Sequence, residues 1–298
     1  KQSERYLELA GSRSVLTVHN LAYQGLFDCT EWPQMGLPSA SFQTDFEFYG
    51  RVNYLKSGLV NADRLTTVSP RYAAEIQRKG DGFGLEGVLR ERSDDLIGIL
   101  NGVDYRVWNP VADLLIPRQY STADLSGKAE CKKALQLEYG LKPEPEVPLV
   151  CMVTRMVEGK GLELLLEAAG DGLFDSNEFQ FALLGSGEKY YQDWFNDLAL
   201  RYPGRVGIKT VFDEALAHQT IAGADILLMP SRHEPCGLTQ LYALKYGTVP
   251  VVRRTGGLAD TIKPYNGFSE GNGFVFDAYT GEALTAGLGQ AIEAYLNR

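Results

Sequence analysis

An α/β fold with parallel, doubly wound sheets is what this sequence predicts, and three observations predict it. Short apolar, β-branched runs alternate with longer amphipathic ones through the second half; charged residues and glycines cluster just after those runs; and 298 residues suffice for two such domains. In folds of this kind ligands sit at the carboxyl ends of the strands, so the loops after the strands carry the functional expectation.

The first part of the chain has three strand-like runs, "SVLTVH", "DRLTTVS" and "LIGILN", separated by an aromatic-rich stretch from Leu21 to Gly58. Parallel sheets have both faces covered, so three strands make a thin sheet and this half is expected to be incomplete. "NGVDYRVWNP" closes the region, and the polar stretch up to "LKPEPEVP" reads as a hinge with a lead-in helix. The boundary is therefore placed near Trp108, giving domains 1–108 and 109–298. In the second, "VPLVCMVTR", "FQFALLG", "RVGIKTVF", "DILLMPS" and "VPVVRR" read as strands. Between them "GLELLLEAAG", "EKYYQDWFNDLALRYP", "EALAHQTIAGA", "GLTQLYALKYG" and "GLADTI" read as helices. Leu284, Leu288, Ile292 and Leu296 predict a last helix with no evident C-cap, so a continuation is expected.

Bulk properties exclude several classes. The 29 Lys+Arg against 38 Asp+Glu leave a net charge of -9, which disfavours a nucleic-acid partner. Cys29, Cys131, Cys151 and Cys236 have neither zinc-ligand spacing nor disulfide-scaffold density, and a reducing compartment fits them. No apolar run is long enough for a membrane helix, and "KQSERYLELAG" has no signal-peptide core.

The strand-end junctions carry the chemistry. In "CMVTRMVEGKG", Arg155 and Lys160 follow a strand and precede a helix opening at Gly161; two cations beside a positive helix end suit an anion such as a diphosphate. A solvated pair of surface charges is the structural alternative. In "SRHEPCGLTQLYALKYG", Glu234 lies in the loop, and Gly237 opens a helix whose amides, from about Leu238 and Thr239, point back toward the crevice. A carboxylate there suits a sugar hydroxyl or a developing positive charge, or else simply flanks the helix. Gly256 and Gly257 in "VVRRTGGLADTI", and Gly185 to Gly187 in "LLGSGE", are weaker junctions without a dinucleotide or P-loop fingerprint. Phe212 ends its strand as a base platform or a core aromatic, and His19 ends "SVLTVH" as a sugar-hydroxyl partner or a structural histidine. His218 and His233 have no zinc pattern, no DxD sequence is present, and Cys236 is expected to be an oxidation-sensitive bystander.

These residues add up to a resemblance. "TVHNLAYQG", "YLKSGLVNADRLTTVSPRYAAEI", "GFGLEGVLR", "LNGVD", "TRMVEGKGLELLLEA", "SRHEPCGLTQLYALKYGTVPVVRRTGGLADT" and "GNGFVF" resemble, in order, the bacterial glycogen synthase and plant starch synthase family. The resemblance covers essentially the whole chain. It implies a GT-B architecture, two Rossmann-like domains around a cleft, and metal-independent, retaining transfer of glucose from ADP-glucose to the non-reducing end of an α-1,4-glucan. It implies that Arg155 and Lys160 hold the diphosphate, that Glu234 lies beside the transferred glucose, and that Asn101 and His19 bond its hydroxyls. Phe212 would lie against the base, and the backbone of Gly237, Leu238 and Thr239 would cap the distal phosphate. Tyr242, expected to be a nucleotide-binding residue, occupies the position at which many retaining relatives carry a second, ribose-touching Glu, as a Tyr does in the glycogen and starch synthase group. The family's KxGGL loop is absent ahead of His19, so the chain is expected to be an internal piece of a longer synthase, with residues 1–108 the later part of the acceptor-side domain. No cofactor and no membrane are implied, and the compartment would be the bacterial cytoplasm or the plastid stroma. The competing readings are a nucleotide- or glucan-binding module without catalysis and, without a pyridoxal-phosphate lysine to support it, a glucan phosphorylase.

Overall fold

The structure is a computed structural model that describes residues 11–175, 178–267 and 270–297. Most of the "KQSERYLELAG" stretch thus lies outside the described residues. The chain folds as two compact units that meet in sequence between Asn101 and Gly102.

The first unit holds β1 (Val15–Val18), β2 (Leu26–Asp28), a turn α1 (Ser39–Ser41), β3 (Glu47–Phe48), β4 (Arg51–Asn53), α2 (Tyr54–Asn61), β5 (Arg64–Thr67), α3 (Pro70–Glu75), α4 (Glu86–Glu91) and β6 (Leu96–Gly98). Strands β1, β5 and β6 are the three runs predicted, and they form a parallel sheet in the order β1-β5-β6. Local chemistry starts its helices. Asn53 Oδ1 accepts from the Lys56 amide at 2.8 Å to cap α2, and Ser69 Oγ accepts from the Tyr72 amide at 2.8 Å to cap α3, which has Pro70 in its first turn. The aromatic stretch, in which no strand is predicted, contains an antiparallel sheet of order β2-β4-β3. Its strands are only two or three residues long, too short to show alternation. Tyr49 and Gly50 join β3 to β4, both at positive φ, the conformation a tight two-residue hairpin demands.

The second unit runs α5 (Ser126–Glu138), β7 (Leu149–Val153), α6 (Leu162–Gly170), β8 (Gln180–Leu184), α7 (Lys189–Arg201), β9 (Val206–Lys209), α8 (Glu214–Gly223), β10 (Ile226–Met229), α9 (Thr239–Lys245), β11 (Val249–Arg253), α10 (Gly256–Thr261), β12 (Phe274–Phe276) and α11 (Gly281–Leu296). Its six parallel strands lie in the order β12-β11-β10-β7-β8-β9. Read from β7 onward this is the doubly wound 3-2-1-4-5-6 order, whose reversal point falls between β7 and β10. The ladder across that reversal is registered at Ile226–Val150 and Leu227–Cys151, against five pairs between β7 and β8.

Both faces of this sheet are buried, which is why its strands read as unbroken apolar runs. Val150 and Met152 join a core with Leu165 of α6, Phe195 of α7 and Leu284, Leu288 and Ile292 of α11. Leu149 and Cys151 face the other core, with Leu135 of α5, Ile221 of α8, Ala243 of α9 and Tyr246 at the end of α9. The expected boundary at Trp108 moves earlier for a packing reason: Trp108 belongs to this second core. Its indole stacks on His218 with centroids 3.6 Å apart and on Tyr242 at 4.0 Å. No described helix is long and apolar enough to cross a membrane.

Candidate functional site

The loops after β7 and β10 face each other across the reversal point, and the sequence dictates how closely they do so. Gly161, at φ 79°, ends the first loop, and a β-carbon on it would fall 2.3 Å from the Pro230 carbonyl oxygen. Only glycine gives both that backbone conformation and that approach. The Arg232 amide then donates to the Gly159 carbonyl at 2.8 Å and ties the two loops together. From behind, Gly256 and Gly257 let α10 pack backbone to backbone on residues 234–236, with the Gly257 amide 3.1 Å from the Glu234 carbonyl. That gives the "TGG" junction a structural role, supporting the loop that carries Glu234.

Between the loops is a pocket of about 200 Å³ lined by Arg155, Lys160, Ser231, Glu234 and the Gly237–Thr239 segment. Residues that sequence reasoning drew from two separate junctions thus converge. Arg155 is exposed, and Lys160 is partly buried. The Lys160 ammonium donates to Glu234 Oε2 at 2.7 Å, and the Ser231 hydroxyl lies 3.1 Å from the same oxygen. The loop under Lys160 is held by Glu163, whose Oε1 accepts from the Gly159 amide at 3.2 Å and from the Tyr279 hydroxyl. Helix α9 begins at Thr239, after Gly237 at φ 69°, and the Gln240 amide group donates to the carbonyls of Cys236 and Gly237 at 3.0 Å each. A larger cavity, about 630 Å³, opens at the amino ends of the same strands. The lysines in its wall are committed to the fold: Lys128 to three backbone carbonyls and Thr248, Lys132 to Asp225 and two carbonyls.

The other predicted residues are distributed as follows. Phe212 stands beyond the end of β9 with 92% of its surface exposed, which rules out the core reading. Tyr242 does not line the pocket; it is stacked on Trp108 with planes 1° apart. His19 follows β1 and Asn101 lies beyond β6, both past the carboxyl ends of the first unit's parallel strands. His218 is a core histidine, its Nδ1 2.7 Å from Asp113 Oδ2, which also accepts from the Tyr246 hydroxyl at 2.5 Å. Among the described residues no group of three or more His, Cys, Asp or Glu side chains could hold a metal ion. Sequence reasoning missed Ser231 and Glu163. Ser231 sits three residues before Glu234 and Glu163 three after Lys160, but only the fold turns those spacings into contacts.

Known proteins match this chain along essentially its whole length. The family described as "Glycosyl transferases group 1" matches residues 140–297, and "Starch synthase catalytic domain" matches residues 1–91. The chain belongs to the glycogen and starch synthase family of group 1 glycosyl transferases. It is 49% identical over 299 residues to a glycogen synthase from Anaeromyxobacter sp., covering 100% of this chain and 62% of that protein. It is 52% identical over 288 residues to a glycogen synthase from Leptothrix cholodnii, covering 94% and 59%. Among solved structures, the catalytic domain of starch synthase IV from Arabidopsis thaliana bound to ADP and acarbose superposes with a TM-score of 0.89 at 34% identity, over 99% of this chain and 62% of that one. The fold class of the family is the GT-B class expected from the motifs. The chain spans 59–62% of the length of these curated relatives.

Proposed function

We propose that the chain carries the donor-binding machinery of a retaining glucosyltransferase that moves glucose from ADP-glucose to the non-reducing end of an α-1,4-glucan. The observation that carries this reading is the convergence of Arg155, Lys160 and Glu234 on one pocket at the strand-order reversal. A diphosphate there meets two cations and the backbone of the Gly237–Thr239 segment. As the glycosidic bond breaks, negative charge grows on the diphosphate and positive charge on the sugar ring. Arg155 and Lys160 stabilise the first, and the Glu234 carboxylate the second. Leu238 and Thr239 present backbone amides toward the distal phosphate, with Gly237 allowing its close approach. Phe212, exposed beyond β9, offers a face for the base. We assign Tyr242 the task of holding α9 against Trp108 rather than touching the ribose. The donor preference for ADP-glucose and the glucan acceptor rest on the relatives, one of which was solved with ADP and acarbose.

The test is a calorimetric titration of the chain with ADP, with UDP as control, in EDTA. Saturable binding that prefers ADP and is lost in Lys160→Ala is the expected result. A folded chain that binds neither nucleotide overturns the site assignment. Release of ADP from ADP-glucose in the presence of glycogen separates a catalytic chain from a binding module.

A further inference from the structure

The contact between Lys160 and Glu234 sets two demands on one ammonium. Lys160 Nζ donates to Glu234 Oε2 at 2.7 Å, and the two side chains keep only 20% and 11% of their surface exposed. An ion pair this sheltered is not the near-zero kind found on open surfaces: a charge separated from its partner here stays largely desolvated. A diphosphate entering the pocket needs the same ammonium and brings negative charge up to the carboxylate. Both effects oppose its binding.

We propose that Glu234 is a built-in competitor for Lys160: it holds the ammonium while the pocket is empty, yields it when a nucleoside diphosphate sugar binds, and reclaims it as the nucleoside diphosphate leaves. The inference rests on the diphosphate reading of this pocket. Ser231 makes the exchange feasible. Its hydroxyl lies 3.1 Å from Glu234 Oε2 and the residue is 2% exposed, so the carboxylate keeps a donor when the lysine turns away. The Ser231 carbonyl is itself held by the Arg253 guanidinium at 3.3 Å, which fixes the backbone from which the hydroxyl projects.

The exchange discriminates between donor and product. With a sugar attached to the diphosphate, the carboxylate can trade the ammonium for sugar hydroxyls, and its loss is compensated. With the sugar gone, nothing replaces the lysine, and the carboxylate is left beside a diphosphate whose charge has grown. Glu234 therefore lowers the affinity for the nucleoside diphosphate more than that for the nucleoside diphosphate sugar, and so favours product release.

Titration of the chain with ADP and with ADP-glucose, for the wild type and Glu234→Gln, tests this, with circular dichroism to establish that each variant is folded. Removing the charge while keeping the shape should tighten ADP binding by about tenfold and tighten ADP-glucose binding less, narrowing the gap between the two ligands. Glu234→Ala, which also removes the charge, should shift ADP in the same direction and serves if the glutamine variant does not fold. Unchanged or weaker ADP binding in a folded charge-removal variant overturns the competition while leaving the diphosphate site standing. Absence of ADP binding in the folded wild type removes the site itself.

Discussion

Gly161 and Pro230 are in backbone contact: a β-carbon on Gly161 would fall 2.3 Å from the Pro230 carbonyl oxygen, in a residue whose φ is 79°. This contact closes the loop after β7 onto the loop after β10 and so fixes where Lys160 points. Gly161→Ala should suffer both the clash and the strained φ, at a cost of about 3 kcal/mol in urea unfolding. ADP affinity should fall with it in titrations below the unfolding midpoint. Full ADP affinity in a destabilised but folded variant would show that the contact serves the fold alone.

Phe212 offers the opposite combination. Its side chain is 92% exposed, so Phe212→Ala should leave the thermal midpoint unchanged. If the ring lies against the base, the same change should weaken ADP binding by about 1–3 kcal/mol, the usual worth of a base on an aromatic face. Equal ADP affinity in wild type and variant would remove Phe212 from the site.

The buried pair of Lys132 and Asp225 tests the fold away from the pocket. The ammonium and carboxylate are 2.7 Å apart, with side-chain exposures of 7% and 11%, and Asp225 Oδ2 also accepts from the Leu149 amide at 2.8 Å, at the start of β7. Asp225→Ala strands a buried cation and should cost about 3–5 kcal/mol in chemical denaturation. Lys132→Met combined with Asp225→Leu should be less destabilising than the single aspartate change. The reverse order would mean that the carboxylate acts mainly on the β7 backbone.

Lys128 makes stability depend on pH in a predictable sense. Its ammonium is surrounded by the carbonyls of Ala222, Ala224 and Tyr246, and burial pulls it from 10.5 down to about 8. Between those values the unfolded chain binds the proton and the folded chain does not, so the Lys128 contribution to stability rises with pH, is complete above 10.5, and is lost as pH falls through about 8. Cys151 acts in the opposite sense: burial pushes its thiol from 9.0 up to about 12, so its contribution declines above pH 9. The measurement is the urea midpoint of wild type against Lys128→Met between pH 8 and 9, where the wild type alone should gain. Parallel curves would contradict the assignment.

What the sequence disclosed followed from burial. Strands β7 to β11 could be read because both sheet faces are covered and most of their positions are apolar, as in the buried Phe181, Ala182, Leu183 and Leu184 of β8. Arg155, Lys160 and Glu234 could be found because a strand end tells the reader where to look. The sheet of β2, β3 and β4 could not be read, since two or three residues carry no period, and β12 escaped for the same reason. Ser231 was invisible because a loop serine signals nothing until the fold places its hydroxyl against a named carboxylate. Trp108 stood where a linker was expected because an aromatic in a polar stretch shows its partners, His218 and Tyr242, only in space.

The sheet of the second unit is two three-stranded halves sewn along one short seam, the ladder of Ile226 with Val150 and Leu227 with Cys151. The pocket straddles that seam, with Arg155 and Lys160 on one side and Glu234 on the other. A ligand bridging them acts as an added stitch at the place where the sheet has the fewest of its own. Occupancy should therefore be felt far from the ligand, as slower amide exchange in β7 and β10 together, and whatever loosens the seam should loosen the grip on the ligand in proportion.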